Sequence, residues 1–192
     1  MARFFAIVAT SCLLCAAGVL APPASGQGLG CTIRGTSNRD RLNGTPGSDV
    51  ICGLGGRDVI RGGGGADVLY GGDGSDELFG GEGPDVMFGG PVRDFFDPGK
   101  GDDAVFGGAG ADISFGSRGD DRMSGEAGRD FLLDELGGID LIKGGDGDDN
   151  CLGTRDGKGA DTIVGGPGFD DWIADSGDTL IGVEREDPVQ CD

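Results

Sequence analysis

The chain has 192 residues, of which 44 are glycine, and hydrophobic residues make up only 36% of it. This composition excludes an ordinary globular core and a helical protein, because each interior glycine costs a helix about 1 kcal/mol. The 34 acidic and 15 basic residues give a net charge of −19, which argues against nucleic acid or an anionic membrane as a partner.

The N-terminal segment 1–26 is predicted to be a secretory signal peptide. Arg3 precedes an apolar stretch over residues 4–20, and the small-residue segment 21–26 follows, with cleavage expected at its end. An uncleaved anchor is the alternative, but the apolar stretch is short for a membrane span. We therefore expect a secreted, extracellular chain without membrane insertion, in which residues 27–34 form an N-terminal cap.

A nine-residue repeat fills residues 35–173. Fifteen frames and four inserted residues, Asp134 and the segment 153–155, account for this whole range. Position four is glycine in every frame except the two that contain Asn38 and Val92. Position six is aspartate in all fifteen frames: Asp40, Asp49, Asp58, Asp67, Asp76, Asp85, Asp94, Asp103, Asp112, Asp121, Asp130, Asp140, Asp149, Asp161 and Asp170.

Position eight of the repeat is apolar in every frame except the one that contains Ser114. Positions six to nine are rich in Val, Ile, Leu and Phe, which predicts a strand of three or four residues with its position-eight side chain facing a core. In frame 144–152 this pattern assigns Cys151 to the core. Trp172, at position eight of the last frame, is expected to close the C-terminal end of that core.

The repeat pattern G-G-x-G-x-D-x-U-x resembles the calcium-binding repeat of the RTX, or haemolysin-type, family. One such nonapeptide would be weak evidence, whereas fifteen in nearly continuous register are specific. The resemblance implies an all-β fold, a right-handed parallel β-roll solenoid in which two repeats form one coil. It also implies that calcium ions lie between equivalent turns of neighbouring coils.

The residue types of the turn suit calcium independently of the resemblance. Glycines permit positive φ and tight turns, and the aspartate adds an anionic oxygen, while calcium takes six to eight oxygen ligands. Zinc would require cysteine or histidine, and histidine is absent. The fifteen position-six aspartates are therefore the predicted metal ligands, and multiple Ca²⁺ ions are the predicted cofactors. A chain this acidic and this poor in apolar residues is expected to fold only when cations neutralise its carboxylates.

Some turns are predicted to bind calcium less well than others. Val92 replaces a turn glycine, Pro98 occupies a first position, and the insertions at Asp134 and 153–155 are expected to interrupt the stacking. The best sites are expected within residues 44–88, where five consecutive frames keep glycine and aspartate in register.

The sequence predicts a calcium-binding repeat protein without catalytic residues. RTX toxins, proteases and lipases carry such repeats beside a larger effector domain, for which neither flank of these repeats is long enough, so we expect no enzyme activity. Neighbouring acids such as Asp102 and Asp103 fall at positions five and six, which favours repeat members over a catalytic carboxylate pair. The expected state is a monomer without a nucleic-acid partner. The alternative is an extracellular adhesive or matrix component that uses the roll as a calcium-dependent spacer.

The cysteines outside the predicted signal peptide are Cys31, Cys52, Cys151 and Cys191. An even number in an exported protein indicates two disulfides, for which three pairings are possible. Residues that are far apart in repeat number are far apart in a stacked roll, so the implied fold favours Cys31–Cys52 and Cys151–Cys191. These bridges would pin the N-terminal cap and a C-terminal cap, residues 174–192, over the open ends of the roll. Free buried thiols are the alternative.

Overall fold

The computed structural model describes residues 30–157 and 159–183, and over these ranges the chain forms seventeen β-strands and no helix. The signal peptide predicted at 1–26, and Cys191, lie outside the described residues. The strands are β1 (Ile33–Arg34), β2 (Arg41–Asn43), β3 (Val50–Gly55), β4 (Val59–Gly64), β5 (Val68–Asp73), β6 (Glu77–Glu82), β7 (Val86–Gly90), β8 (Phe95–Lys100), β9 (Ala104–Gly110), β10 (Ile113–Gly116), β11 (Arg122–Gly128), β12 (Phe131–Asp134), β13 (Leu141–Asp146), β14 (Asn150–Thr154), β15 (Thr162–Val164), β16 (Trp172–Ile173) and β17 (Thr179–Ile181).

Successive strands alternate between two parallel sheets. The odd-numbered strands form a nine-stranded sheet in the order β1 to β17, here called the odd sheet, and the even-numbered strands form an eight-stranded sheet, the even sheet. Each strand pairs with the strand two further along the chain, as Val50 does with Val68. The prediction of an all-β parallel solenoid with two repeats per coil is confirmed, and the arrangement is consistent with a β-roll of about eight coils.

The roll has slightly more repeating units than the fifteen predicted frames. Strand β1 precedes the first predicted frame, and strand β17 follows the last one. Both strands continue the register of the odd sheet, because Ile33 pairs with Ile51 and Ile163 pairs with Leu180. The segments predicted as caps therefore each contribute one strand.

Most strands are longer than the three or four residues predicted. Strand β3 runs from Val50 to Gly55, and its parallel pairing with β5 includes Leu54 with Gly72. The backbone pairing continues through positions one to three of the next turn because the glycines there allow neighbouring coils to follow the same path. The turns are therefore stacked on one another as tightly as the strands are.

One side chain per repeat fills the space between the two sheets. The buried core consists of Ile51, Ile60, Leu69, Leu78, Met87, Phe96, Val105, Met123, Leu132, Ile142, Leu152 and Ile163. Trp172, on the last strand of the even sheet, is partly buried and packs against this core. Ser114 is also buried, and its hydroxyl donates to Met123 Sδ at 3.1 Å, so the one polar position-eight residue has a partner in the core.

Cys151 is buried as predicted, but Leu152 rather than Cys151 occupies the core column between the two sheets. Leu152 pairs with Leu132 and is fully buried in the core, while the register between β12 and β14 shifts at this point. Cys151 adopts a φ of 56°, in the left-handed region, because the backbone has to accommodate one extra residue there. The bulge keeps a large aliphatic side chain in the core column despite the irregular repeat length.

The structure contains the Cys31–Cys52 disulfide favoured by the sequence, with the two Cα atoms 6.0 Å apart. Strand β1 is thereby tied to β3, with which it also pairs. Cys151 takes part in a disulfide, but Cys191 lies outside the described residues, so the Cys151–Cys191 pairing stays a prediction.

Replacing Leu78 by alanine is expected to destabilise the folded chain strongly. Leu78 is fully buried in a core that is one side chain thick, so the L78A variant should lose about 2–5 kcal/mol of unfolding free energy. Urea denaturation under conditions that fully fold the wild type measures this loss. The F169A variant is the control, because Phe169 is 70% exposed. Equal denaturation midpoints for the two variants would contradict the assigned core.

Candidate metal centre

The position-six aspartates stand before strands β2 to β16 and form two columns along the roll. The odd ladder precedes the odd strands, as Asp67 precedes β5, and the even ladder precedes the even strands, as Asp76 precedes β6. Asp40 is partly exposed. The following ladder aspartates are buried: Asp49, Asp58, Asp67, Asp76, Asp85, Asp94, Asp103, Asp112, Asp121, Asp130, Asp140, Asp149, Asp161 and Asp170.

One carboxylate oxygen of these aspartates holds neighbouring coils together. The backbone N–H of Asp49 donates to Asp67 Oδ1 at 2.7 Å, and the same bond recurs between aspartates one coil apart along both ladders. A charged acceptor strengthens such a hydrogen bond. The Oδ1 atoms are therefore engaged within the protein, and the Oδ2 atoms have more capacity for other ligands.

The insertions do not interrupt the ladders, contrary to expectation. The N–H of Asp121 donates to Asp140 Oδ1 at 2.8 Å across 19 residues, and the N–H of Asp140 donates to Asp161 Oδ1 at 2.8 Å across 21 residues. The additional residues are accommodated in longer turns and in the bulge at Cys151, so the stacked backbone keeps its register.

The second carboxylate oxygen is buried in the turn and has no hydrogen-bond partner along most of both ladders. A Cβ atom built on Gly71, at position one of the same turn, would lie 2.6 Å from Asp76 Oδ2, so this oxygen points into the turn. The same proximity recurs at Gly53 and Gly107 and explains why position one is glycine. The ladder aspartates with such an Oδ2 are Asp58, Asp67, Asp76, Asp85, Asp94, Asp103, Asp112, Asp130, Asp140, Asp149 and Asp161.

The N-terminal turns differ because threonine supplies the missing donors. Asp40 Oδ2 accepts the N–H of Thr36 at 2.6 Å and its hydroxyl at 2.8 Å. Asp49 Oδ2 accepts the same two groups of Thr45, each at 2.8 Å. Burial would raise the pKa of Asp49, but the hydrogen bonds from Thr45 and Thr32 outweigh it and lower this pKa. The range 44–88, expected to hold the best sites, therefore begins with a carboxylate that is already satisfied.

Burial makes the remaining carboxylates hard to ionise. It raises the pKa of Asp94 to about 8, although the N–H of Asp76 opposes the shift and the neighbouring carboxylates add to it. Burial likewise raises the pKa of Asp103 and Asp112 to about 7 and that of Asp85 to about 6. Protons or cations at these carboxylates would stabilise such an array.

The ladder also carries most of the chain's excess charge. Without its fifteen aspartates the chain would have 19 acidic and 15 basic residues, a net charge of −4 rather than −19. The residues outside these fifteen aspartates are thus nearly balanced in charge. Cations bound at the ladder would remove most of the self-repulsion of the chain.

Two irregular positions affect their turns less than the sequence suggests. Val92 does not adopt the positive φ that glycine has at position four, for example Gly65 with a φ of 106°. Asp94 nevertheless keeps its place, accepting the N–H of Asp76 at 2.7 Å. Pro98 lies within the continuous strand β8. Weaker calcium binding in these turns stays a prediction.

Two acidic residues outside the predicted set belong to the same structure. The N–H of Asp161 donates to Asp178 Oδ1 at 3.2 Å, which makes Asp178 one further step of the odd ladder. The sequence signal that could have revealed Asp178 is its spacing from Leu180, which equals the spacing of positions six and eight in the repeat. Asp134 joins Asp121 and Asp140 in a group of buried carboxylates whose oxygens lie within 4.8 Å of one another. Sequence reasoning treated Asp134 only as an insertion.

The oxygen-lined turns fit calcium. The buried ligand atoms in these turns are carboxylate oxygens without hydrogen-bond partners. Such oxygens suit a hard cation that prefers oxygen ligands. Zinc prefers nitrogen and sulfur ligands, and the chain has no histidine.

No helix in the described ranges is long and apolar enough to cross a membrane.

Comparison with known families agrees with this geometry. The family model of the RTX calcium-binding nonapeptide repeat (4 copies) matches residues 32–60, 53–87, 61–96, 70–105, 82–113, 106–133, 136–156 and 155–171. These matches cover more than half of the chain, which therefore belongs to the RTX calcium-binding nonapeptide repeat family. No curated protein matches the chain.

Acid should stabilise the metal-free fold. The pKa values of Asp94 and Asp112, about 8 and 7, exceed their ordinary value of 3.8. Between these values the folded chain binds more protons than the unfolded chain, so its unfolding free energy falls as the pH rises from about 4 to about 8. Circular dichroism in chelator across this range measures the effect, and the D94N variant should show a shallower dependence. A β-signal that grows with rising pH would contradict the buried ladder.

Turn glycines with positive φ should not tolerate alanine. Gly63 has a φ of 109°, and a Cβ there would lie 2.6 Å from the carbonyl oxygen of Thr45. The G63A variant is expected to lose at least about 1 kcal/mol of unfolding free energy in thermal or urea unfolding. Gly47 is the matched control, because its Cβ would meet only Thr45 Oγ1, at 3.8 Å. If G47A were destabilised as much as G63A, close stacking of the turns would not be the cause.

Proposed function

We propose that this chain is a secreted calcium-binding repeat protein that folds when several Ca²⁺ ions occupy its stacked turns. The observation that supports this most directly is the column of buried Oδ2 atoms that have no hydrogen-bond partner. Family membership independently indicates calcium binding. The roll itself is the functional part of the protein, and no catalytic activity is proposed for it.

Calcium in these turns would be held by ladder aspartates of neighbouring coils. The Oδ1 atom of each aspartate fixes the spacing between coils, and the Oδ2 atom supplies an anionic ligand. Turn carbonyl oxygens are further ligands of the kind that calcium accepts. The first turns are the weakest candidates, because Thr36 and Thr45 already donate to Asp40 and Asp49.

Folding on calcium binding follows from the energetics of the ladder. The core contributes one buried side chain per repeat, about 1.5–3 kcal/mol each, whereas every ordered residue costs about 1–2 kcal/mol of backbone entropy. Buried carboxylates that face one another add a further penalty. The binding free energy of the ions then becomes folding free energy.

Secretion is part of the proposal and is supported by the signal-like segment 1–26. Extracellular calcium modules often bind with dissociation constants of about 10⁻⁴–10⁻³ M. At the far lower calcium concentration of a cytosol the chain would remain unfolded, which suits export. It would then fold on reaching calcium outside the cell.

An adhesive or matrix role is the second candidate, and the outer surface of the even sheet favours it. Phe95 and Phe131 flank Phe115 at centroid distances of 6.1 and 5.5 Å. Phe115 is 42% exposed. A row of partly exposed aromatic rings on a stiff roll suits surface contact. Binding of the protein to cells or matrix with calcium, and its loss in chelator, would support this role.

A calcium titration followed by circular dichroism tests the proposed function. The chain without its signal peptide should lack β-structure in chelator at neutral pH and gain it cooperatively with calcium, while magnesium should not substitute. The D76N variant should raise the calcium midpoint several-fold, because it removes a buried ligand. The D73N variant is the matched control, since Asp73 is exposed and lies in the same turn. A full β-spectrum in chelator would overturn folding on binding.

A further inference from the structure

Asp134 occupies a position that is glycine in most other coils of the roll. It is the last residue of β12 and pairs with Gly116 in the preceding coil and with Thr154 in the following one. Gly116 is a position-one residue, so Asp134 stands at position one of its own turn. At this position the side chain of any residue must enter the turn, next to the ladder carboxylate.

A longer turn makes room for this side chain. The segment from Asp134 to Asp140 contains one more residue than the equivalent segment from Gly116 to Asp121. Asp134 is fully buried. Its Oδ1 accepts the N–H of Leu136 at 3.0 Å, while its Oδ2 has no hydrogen-bond partner. One oxygen therefore anchors the side chain, and the other is directed at the neighbouring carboxylates.

Three buried carboxylates converge at this point. Ligand oxygens of Asp121, Asp134 and Asp140 lie within 4.8 Å of one another, and all three residues are buried. The Oδ2 atom of Asp140 also has no hydrogen-bond partner. Asp121 Oδ2 accepts the N–H of Ser117 at 3.3 Å, and the carboxyl groups of Asp121 and Asp134 lie close enough to share a proton. The described ion pairs, Arg57–Glu77 and Lys100–Glu82, involve none of these residues.

We propose that Asp121, Asp134 and Asp140 form a separate hard-cation site that binds its ion more tightly than the regular turns do. This inference rests on the proposed function, because the regular turns supply the comparison. A regular turn site draws one ladder aspartate from each of two neighbouring coils, and Asp134 adds a third anionic oxygen. Among calcium sites, affinity rises with the charge and rigidity of the ligand set.

Trivalent lanthanides probe this site in the folded protein. They bind oxygen ligands as calcium does, and their additional charge favours a site with three carboxylates. In excess calcium, which keeps the roll folded, the first Tb³⁺ ion added should therefore enter this site. Replacing calcium there avoids unfolding, so the affinity of one site is measured apart from the stability of the whole chain.

The test is a Tb³⁺ luminescence titration of the calcium-loaded chain. The wild type should take up one Tb³⁺ per chain at a concentration at least about tenfold below that needed by the other turns. The D134N and D134G variants should lose this first step and keep the later ones. D134G places at residue 134 the glycine that the preceding coil has at Gly116. E135Q is the matched control, because Glu135 is exposed and adjacent in sequence.

The outcomes separate this inference from the proposed function. If D134N and D134G titrate like the wild type, or the wild type shows one class of equal sites, the separate site is overturned. A shared proton among the three carboxylates, without any cation, would give that same result. If the wild type shows neither Tb³⁺ uptake nor calcium-dependent circular dichroism, the proposed function itself fails. Calcium-dependent folding with an unchanged D134N titration would overturn only the separate site.

Discussion

The structure depends on burying one carboxylate every nine residues directly against its equivalent in the next coil. The Oδ1 atom of each ladder aspartate accepts the N–H of the aspartate one coil earlier, so the charge that destabilises the fold also sets its repeat distance. Position one is glycine in most frames because a Cβ there would crowd the carboxylate. Most position-four glycines have positive φ before the aspartate, as Gly65 does, although Asp94 keeps its place after Val92, which lacks it. The repeat motif is the set of residues compatible with that buried oxygen.

The same constraint explains why the core can be so thin. Two sheets enclose a single column of side chains, such as Leu69 and Leu78, which is too little apolar surface to stabilise a chain of this length. The turns, rather than the core, must then supply the remaining stability. Under the proposed function, protonation or cation binding at the ladder would supply it, since both remove the cost of buried charge. Stability and ligand binding would then depend on the same atoms.

The family resemblance predicted the parallel solenoid with two repeats per coil, and the nine-residue period predicted the buried position-eight column and the fifteen position-six aspartates of the ladders. It was not sufficient where the period changes. Cys151 and Leu152 are both apolar, so their order alone does not show which one bulges and which one fills the core. Asp134 looked like an interruption because its role depends on Gly116 in the preceding coil, a contact between residues 18 apart in sequence. No run of glycines precedes Asp178, although its carboxylate accepts the N–H of Asp161 as the other ladder aspartates accept theirs.

The alternation of strands between the odd and even sheets sets the unit by which such a protein can change in length. Loss or duplication of a single nonapeptide would move every later strand to the opposite sheet. Such a change between Tyr70 and Phe106 would separate their rings and that of Phe88, which stack 5.0 Å apart on the outside of the odd sheet. Loss or duplication of two repeats would leave each column intact. Gene duplication in this protein is thus expected to proceed in steps of whole coils, with single-residue insertions absorbed in the turns.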